Sequence, residues 1–198
     1  MFKYILSILV MSTSYGDISK EIKLNFLHIS PIIQSLNPHI SEKDADKYGK
    51  LIEDYSVRYG IDWKIIVAII YQESNFKLDA ANCSNSGCQD FGMVQINFRN
   101  IKRLKLNMGK LLTDPEYNIF AMSEMLIDLK KRFSKKDKRW FARYHSSTPS
   151  FKSIYYRMLK KHFKDIERIL DEQKKDNNRR QRSYVPTLQE GVFIQGYR

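Results

Sequence analysis

Metal-ligating residues are scarce in this chain. Its 198 residues include two cysteines and four histidines. The histidines (His28, His39, His145, His162) are scattered, and no HExxH pattern or second cysteine pair joins them. Zinc sites need three or four clustered ligands, so no metal site and no cofactor are expected. Long apolar runs are lacking too. A membrane-spanning helix takes roughly 20 apolar residues, and the longest internal run, Ile65 to Tyr71, falls far short. No internal repeat is visible, and the length suits one domain with tails. Acidic residues are outnumbered, 22 against 34 Lys and Arg, for a formal net charge of +12. Such an excess favours polyanions: nucleic acid, anionic lipid or an acidic cell-wall polymer. No nucleic-acid motif accompanies it, so nucleic acid is not expected as a partner. Part of the excess lies in Lys174 to Arg182, where a solvated tail accounts for it without any partner.

What the chain does have is a glutamate on an apolar face. Glu73 lies seven residues after Ile66, four after Ile69 and three after Ile70. On a helix these positions share one face. The pattern stops there, and a Gly/Ser/Asn loop follows. A carboxyl held at that point is either partly desolvated, which raises its pKa, or reaches solvent past the helix end. In the first case a value of roughly 6–7 would let it donate and accept protons near neutral pH.

The N-terminus reads as a secretory signal over residues 1–16. Lys3 supplies the charge, Tyr4 to Met11 the apolar core, and Ser14-Tyr15-Gly16 the small residues of a cleavage site. An uncleaved short anchor is the alternative. An exported protein favours a disulfide between Cys83 and Cys88, closing a small loop. Residues 17–41 read as an irregular lead-in, broken by Pro31 and Pro38. Ser41 starts a helix carrying Ala45, Tyr48, Ile52 and Tyr55 inward, and Gly60 ends it. Asp62 caps a second helix that runs to about Phe76.

Residues 82–90 are turn chemistry. Phe91 to Ile96 forms a small strand or buried turn, and a helix follows from Asn97 to about Leu106. Asp114-Pro115 opens a helix with the apolar stripe Ile119, Met122, Met125, Leu126 and Leu129. Trp140 to Tyr144 is a short helix. Ser150 caps a last helix with Ile154, Met158, Phe163, Ile166 and Leu170 facing inward. Residues 173–198 are a basic tail expected to lack order. The fold class is therefore mainly α, a helical domain over 42–172 with a loop or β-hairpin inserted after the Glu73 helix.

Four motifs in order then resemble one family. They are Glu73-Ser74-Asn75-Phe76, Gly92-Met93-Val94-Gln95-Ile96-Asn97, Asp114-Pro115-Glu116-Tyr117-Asn118-Ile119 and Ala142-Arg143-Tyr144-His145-Ser146. The set is similar to the lytic transglycosylase domain of bacterial cell-wall enzymes, over roughly residues 55–165. The resemblance implies a lysozyme-like fold and cleavage of the β-1,4 bond between N-acetylmuramic acid and N-acetylglucosamine in peptidoglycan, with 1,6-anhydromuramyl ends. It implies Glu73 as the acid and base. It implies Ser74, Gln95 and Tyr144 as substrate-side supports and Gly92 as the residue that lets the loop approach closely. Read singly, Ser74 is helix-end polarity, Gln95 a surface amide and Tyr144 a core aromatic.

An ordinary glycosidase pairs its acid with a second carboxylate. Asp79 and Asp90 are the nearest candidates, and each also reads as a turn residue. If either faced Glu73 across the cleft, hydrolysis in the manner of goose-type lysozymes becomes a credible alternative. A non-catalytic wall-binding scaffold is a further alternative. Two departures from the family stand out. Val94 replaces a methionine expected to shape the cleft wall. His145-Ser146-Ser147-Thr148-Pro149 resembles small transglycosylases that accompany secretion systems and pili. Peptidoglycan is thus the expected partner, with a secretion-system or pilus assembly as a possible second, and the location is exported and periplasmic.

Overall fold

The computed structural model describes residues 29–85 and 87–183. Seven α-helices, one 3-10 helix and a small antiparallel sheet make up these residues, so the protein is mainly α with a lysozyme-like layout and a hairpin insertion. The expected signal over residues 1–16 lies outside the described residues, as does the tail beyond 183.

The lead-in differs from expectation. Residues 29–36 form a helix, α1, whose Ile29, Ile32, Ile33 and Leu36 are buried. Pro31 sits near its described start, where a missing N–H is tolerated, and Pro38 follows its end. The apolar residues fall at i, i+3, i+4 and i+7, a helical stripe that the prolines masked. Helix α2 (Glu42–Tyr59) starts at Ser41, whose hydroxyl accepts the Asp44 N–H at 3.0 Å. It ends at Gly60 with φ +59°, a left-handed cap that glycine adopts without strain. Its buried residues include Ala45, Tyr48, Ile52 and Tyr55, as the stripe predicts.

Helix α3 (Trp63–Ser74) is capped by Asp62, which accepts the Lys64 N–H. Ile66 through Ile70 are all buried, so α3 is the central helix of the core. It ends two residues earlier than Phe76, because Asn75 and Phe76 both take positive φ (53° and 63°). Strands β1 (Ala81–Ser84) and β2 (Gly87–Phe91) pair as a hairpin, and β3 (Ile96–Asn97) extends the sheet in the order β1-β2-β3. Cys83 and Cys88 face each other across the hairpin and are joined by a disulfide.

Helices α4 (Phe98–Leu104) and α5 (Met108–Thr113) are both short; α5 carries no stripe of its own and is absent from the sequence reading. Helix α6 (Pro115–Phe133) starts at Asp114, as expected, with its carboxylate accepting two N–H groups. The 3-10 helix spans Trp140–Tyr144. Helix α7 (Pro149–Ser183) runs well past 172, so the tail expected to lack order is helical through 183. Its inward face is partly turned from the expected one. Ile166 is buried and Phe163 and Leu170 pack against the core, as expected, but Tyr155, Leu159 and Ile169 are buried as well, whereas Ile154 and Met158 are exposed. That rotation brings Tyr155, rather than Ile154, against α3. Helix α3 packs on α7 and α2, and α2 packs on α6, which leaves the C-terminal end of α3 facing the sheet.

Candidate active site

Glu73 occupies the last turn of α3, half-buried, and lines a cleft of about 590 Å³. The opposite wall comes from the sheet, through Asp90 and Asn97, and from the 92–95 turn, through Gln95, and Tyr144 and His145 also line the cleft. The Tyr155 hydroxyl donates to Glu73 Oε1 at 2.5 Å. Three influences then compete at the carboxyl. Burial pushes its pKa up, the Tyr155 hydrogen bond pulls it down, and the charge of Asp90 pushes it up. Burial wins, and the value rises to about 7. A group so poised is protonated in part and ionised in part at neutral pH, which suits it to give and take back a proton. The helix-face argument from Ile66, Ile69 and Ile70 puts Glu73 on the apolar face but leaves desolvation and solvent exposure both open; the structure decides for desolvation, and Tyr155 does not follow from the spacing.

The other motif residues converge on the turn 92–95. Ser74 donates to Met93 O at 2.6 Å. Tyr144, buried but for the part of its ring that lines the cleft, donates to Val94 O at 2.7 Å. Asn118 Oδ1 accepts the Val94 N–H, while its amide donates to Leu111 O at 2.7 Å and Asp114 O at 2.9 Å. Gly92 has φ +80°, and a Cβ there would lie 2.3 Å from Leu111 O and 2.4 Å from Asn118 Oδ1. Only a residue without a side chain fits. Three motifs therefore grip the fourth by backbone atoms, so the spacing that makes the family pattern is a clamp around one turn.

Each expected site residue has a definite place. Ser74 faces the turn and not the cleft. The Tyr144 hydroxyl is committed to Val94 O rather than to the acid, though its ring lines the cleft. Gln95 lines the cleft, has φ +48°, and anchors itself by donating to Ala80 O and Gly92 O. Val94, expected in the cleft wall, is wholly buried, so the departure there is a change of packing.

Of the two candidate carboxylates, only Asp90 reaches the cleft. Its oxygens accept from Asn82 at 3.1 Å and Asn97 at 2.9 Å. Asp79 is exposed and does not line the cleft. His145 stacks on Tyr155 with ring centroids 4.8 Å apart, holding the ring that holds the acid. Tyr155 is the residue that sequence reasoning missed here, and His145, noted there as a departure from the family, gains its place beside the acid only in the structure. A stripe of Tyr155, Leu159, Ile166 and Ile169 was available to find the first. Among the described residues no group of three or more His, Cys, Asp or Glu side chains is placed to hold a metal ion, and no helix is long and apolar enough to cross a membrane.

A helical, lysozyme-like domain with one desolvated glutamate in an open cleft defines a class of glycan-cleaving proteins. The transglycosylase SLT domain model matches residues 50–152, just over half of the chain. The chain belongs to that family, and it is a lytic transglycosylase by that membership. It is 27% identical to Protein IpgF of Shigella flexneri over 147 residues, covering 72% of this chain and 91% of that one. It is 26% identical to Invasion protein IagB of Salmonella typhi, covering 62% and 78%. It is 33% identical to Membrane-bound lytic murein transglycosylase C of Photorhabdus laumondii, covering 54% of this chain but 31% of that protein. No solved structure matches at a significant level.

Proposed function

We propose that the protein is an exported enzyme that cuts the β-1,4 bond between N-acetylmuramic acid and N-acetylglucosamine in peptidoglycan, leaving 1,6-anhydromuramyl ends. The observation that carries this reading is the Glu73 carboxyl, half-buried in the cleft wall with a pKa of about 7. Glu73 gives its proton to the glycosidic oxygen as the C1–O bond breaks, and N-acetylglucosamine leaves with a free 4-hydroxyl. The Glu73 carboxylate then takes the proton of the muramyl C6 hydroxyl as O6 bonds to C1. The proton count closes on one residue, and no water is consumed. Tyr155 stabilises the ionised form between the two steps, and Gln95 and Tyr144 line the path of the strand.

A second reading is hydrolysis. It is favoured by Asp90, which lies in the same cleft and whose charge acts on Glu73. Mass spectrometry of fragments released from purified peptidoglycan separates the two. Anhydromuramyl ends, lighter by one water than reducing ends, are expected. Glu73→Gln is expected to abolish release with the fold intact, and normal turnover by that variant would overturn the role of Glu73. Reducing ends alone would assign the protein to hydrolysis.

The basic charge, the signal-like N-terminus and the Cys83–Cys88 disulfide support a location in the periplasm. The Tyr144-His145-Ser146 to Thr148-Pro149 pattern, with a relative named as an invasion protein, supports local wall opening for a secretion or pilus assembly.

A further inference from the structure

Beside the catalytic cleft lies a second groove of about 260 Å³, between α4, α6 and the 144–147 turn. It shares Asn100, Met125, Tyr144 and His145 with the cleft that holds Glu73, so the two are continuous. Three guanidinium groups line it, from Arg103, Arg132 and Arg143, against a single carboxylate, Asp128. Asp128 is matched by Arg132 at 3.0 Å. Among the described residues Arg103 bonds the neutral Asn100 Oδ1, at 3.3 and 3.4 Å, and no carboxylate. Arg143 lies 3.6 Å from Asp137, a carboxylate already bonded by Lys152 at 2.8 Å, and Arg143 Nε has no hydrogen-bond partner among the described residues. The Arg143 guanidinium also stacks 4.2 Å above the Phe133 ring, which fixes its plane. The groove thus has more fixed positive charge and more donors than its own acceptors use. A planar guanidinium is best satisfied by a carboxylate.

On the substrate proposed above, such a group has one place to be. N-acetylglucosamine carries no carboxylate. Muramic acid carries a lactyl ether at O3, which either ends in a free carboxylate or is amide-linked to a peptide with carboxylates of its own. We propose that the arginine groove is a subsite for a carboxylate on the O3 substituent of a muramyl residue bound in the adjoining cleft. This rests on the peptidoglycan reading. Its consequence is register: a strand seated by that carboxylate presents a muramyl-to-glucosaminyl bond, and not the alternate one, to Glu73.

Calorimetric titration of the full chain tests this without requiring cleavage. The background is Glu73→Gln, and the probes are muramyl-glucosaminyl oligosaccharides of one length in three forms: stem peptide, free lactyl carboxylate and lactyl carboxamide. The stem or lactyl form is expected to bind about tenfold tighter than the carboxamide, and whichever does so identifies the source of the carboxylate. Arg103→Gln with Arg132→Gln is expected to remove that preference. Both side chains are exposed, so the fold is not at stake, whereas Arg143 is left intact because it packs on Phe133. Equal binding of the three forms, no binding of any, or a preference that survives both substitutions overturns the subsite. Cleavage by the wild type is scored separately: cleavage without a preference removes the groove and keeps the reaction, and a preference without cleavage does the reverse.

Discussion

At the scale of single residues, the decisive quantity is the cost of ionising Glu73. Its pKa rises from 4.5 to about 7 because burial outweighs the Tyr155 hydrogen bond. Between those values the folded protein holds a proton that the unfolded chain has lost, so stability falls as pH rises through the window. Glu73→Gln is always neutral and escapes the loss. Its melting temperature should match the wild type near pH 4 and exceed it at pH 8, with a gain of no more than about 3 kcal/mol. An equal difference at both pH values in thermal melts would show that Glu73 is not desolvated. Tyr155→Phe removes the influence that lowers this pKa. The alkaline limb of the kcat/KM profile should then move upward from about 7, and the rate at its plateau should fall about tenfold, or ~1.4 kcal/mol. An unmoved limb would place the Tyr155 hydroxyl outside the proton balance.

Among the elements, the 92–95 turn is held with the least tolerance. It accepts hydrogen bonds from Ser74 at the end of α3 and from Tyr144 in the 3-10 helix, and its Val94 N–H donates to Asn118 of α6. Tyr144→Phe leaves Val94 O buried without its donor, which costs about 1–3 kcal/mol. Urea melts should show that loss, and activity should fall with it because Gln95 sits on the same turn. Gly92→Ala should be worse. The atoms its Cβ would strike include a backbone carbonyl at 2.3 Å, and φ is +80°, so either α5 shifts or the turn opens. Circular dichroism should show a helical protein of lowered stability, and cleavage should be lost beyond what the melting temperature explains. A variant of wild-type stability and activity would mean that the turn is not the clamp described.

Across the whole molecule, the site depends on α7 lying in register with α3. Lys64 pairs with Glu167 at one end, His162 Nε2 meets Gln72 Oε1 at 2.8 Å in the middle, and Tyr155 reaches Glu73 at the other end. Because Gln72 Oε1 is an acceptor, His162 Nε2 carries the proton, and Nδ1 is left buried with no partner among the described residues. Burial accordingly holds the His162 pKa below its usual 6.5. The unfolded chain therefore protonates first as pH falls below 6.5, and the stability of this contact is lost on the acid side. His162→Gln keeps a donor for Gln72 and cannot titrate. Its melting temperature should fall less than the wild type's between pH 6.5 and pH 5, and a parallel fall would show that His162 is not the group concerned.

The sequence by itself determined the helices whose apolar stripes are long, α2, α3 and α6, and the place of Glu73 on the buried face of α3. It did so because burial of a helical face is written in spacing, and spacing is local. It determined the family pattern as well, through four short motifs. Tertiary structure alone decided what those motifs do. Ser74, Asn118 and Tyr144 are scattered along the chain, and no local rule says that all three end on one turn. The helix at 29–36 was legible in its isoleucines but hidden by two prolines, and α7 was legible as a helix but not in its rotation. A shift of about one residue in its buried face exchanged Ile154 for Tyr155 beside the acid. Packing chose that rotation, since only the assembled core fixes which side of a long, mixed helix meets α3, and with it which hydroxyl meets Glu73.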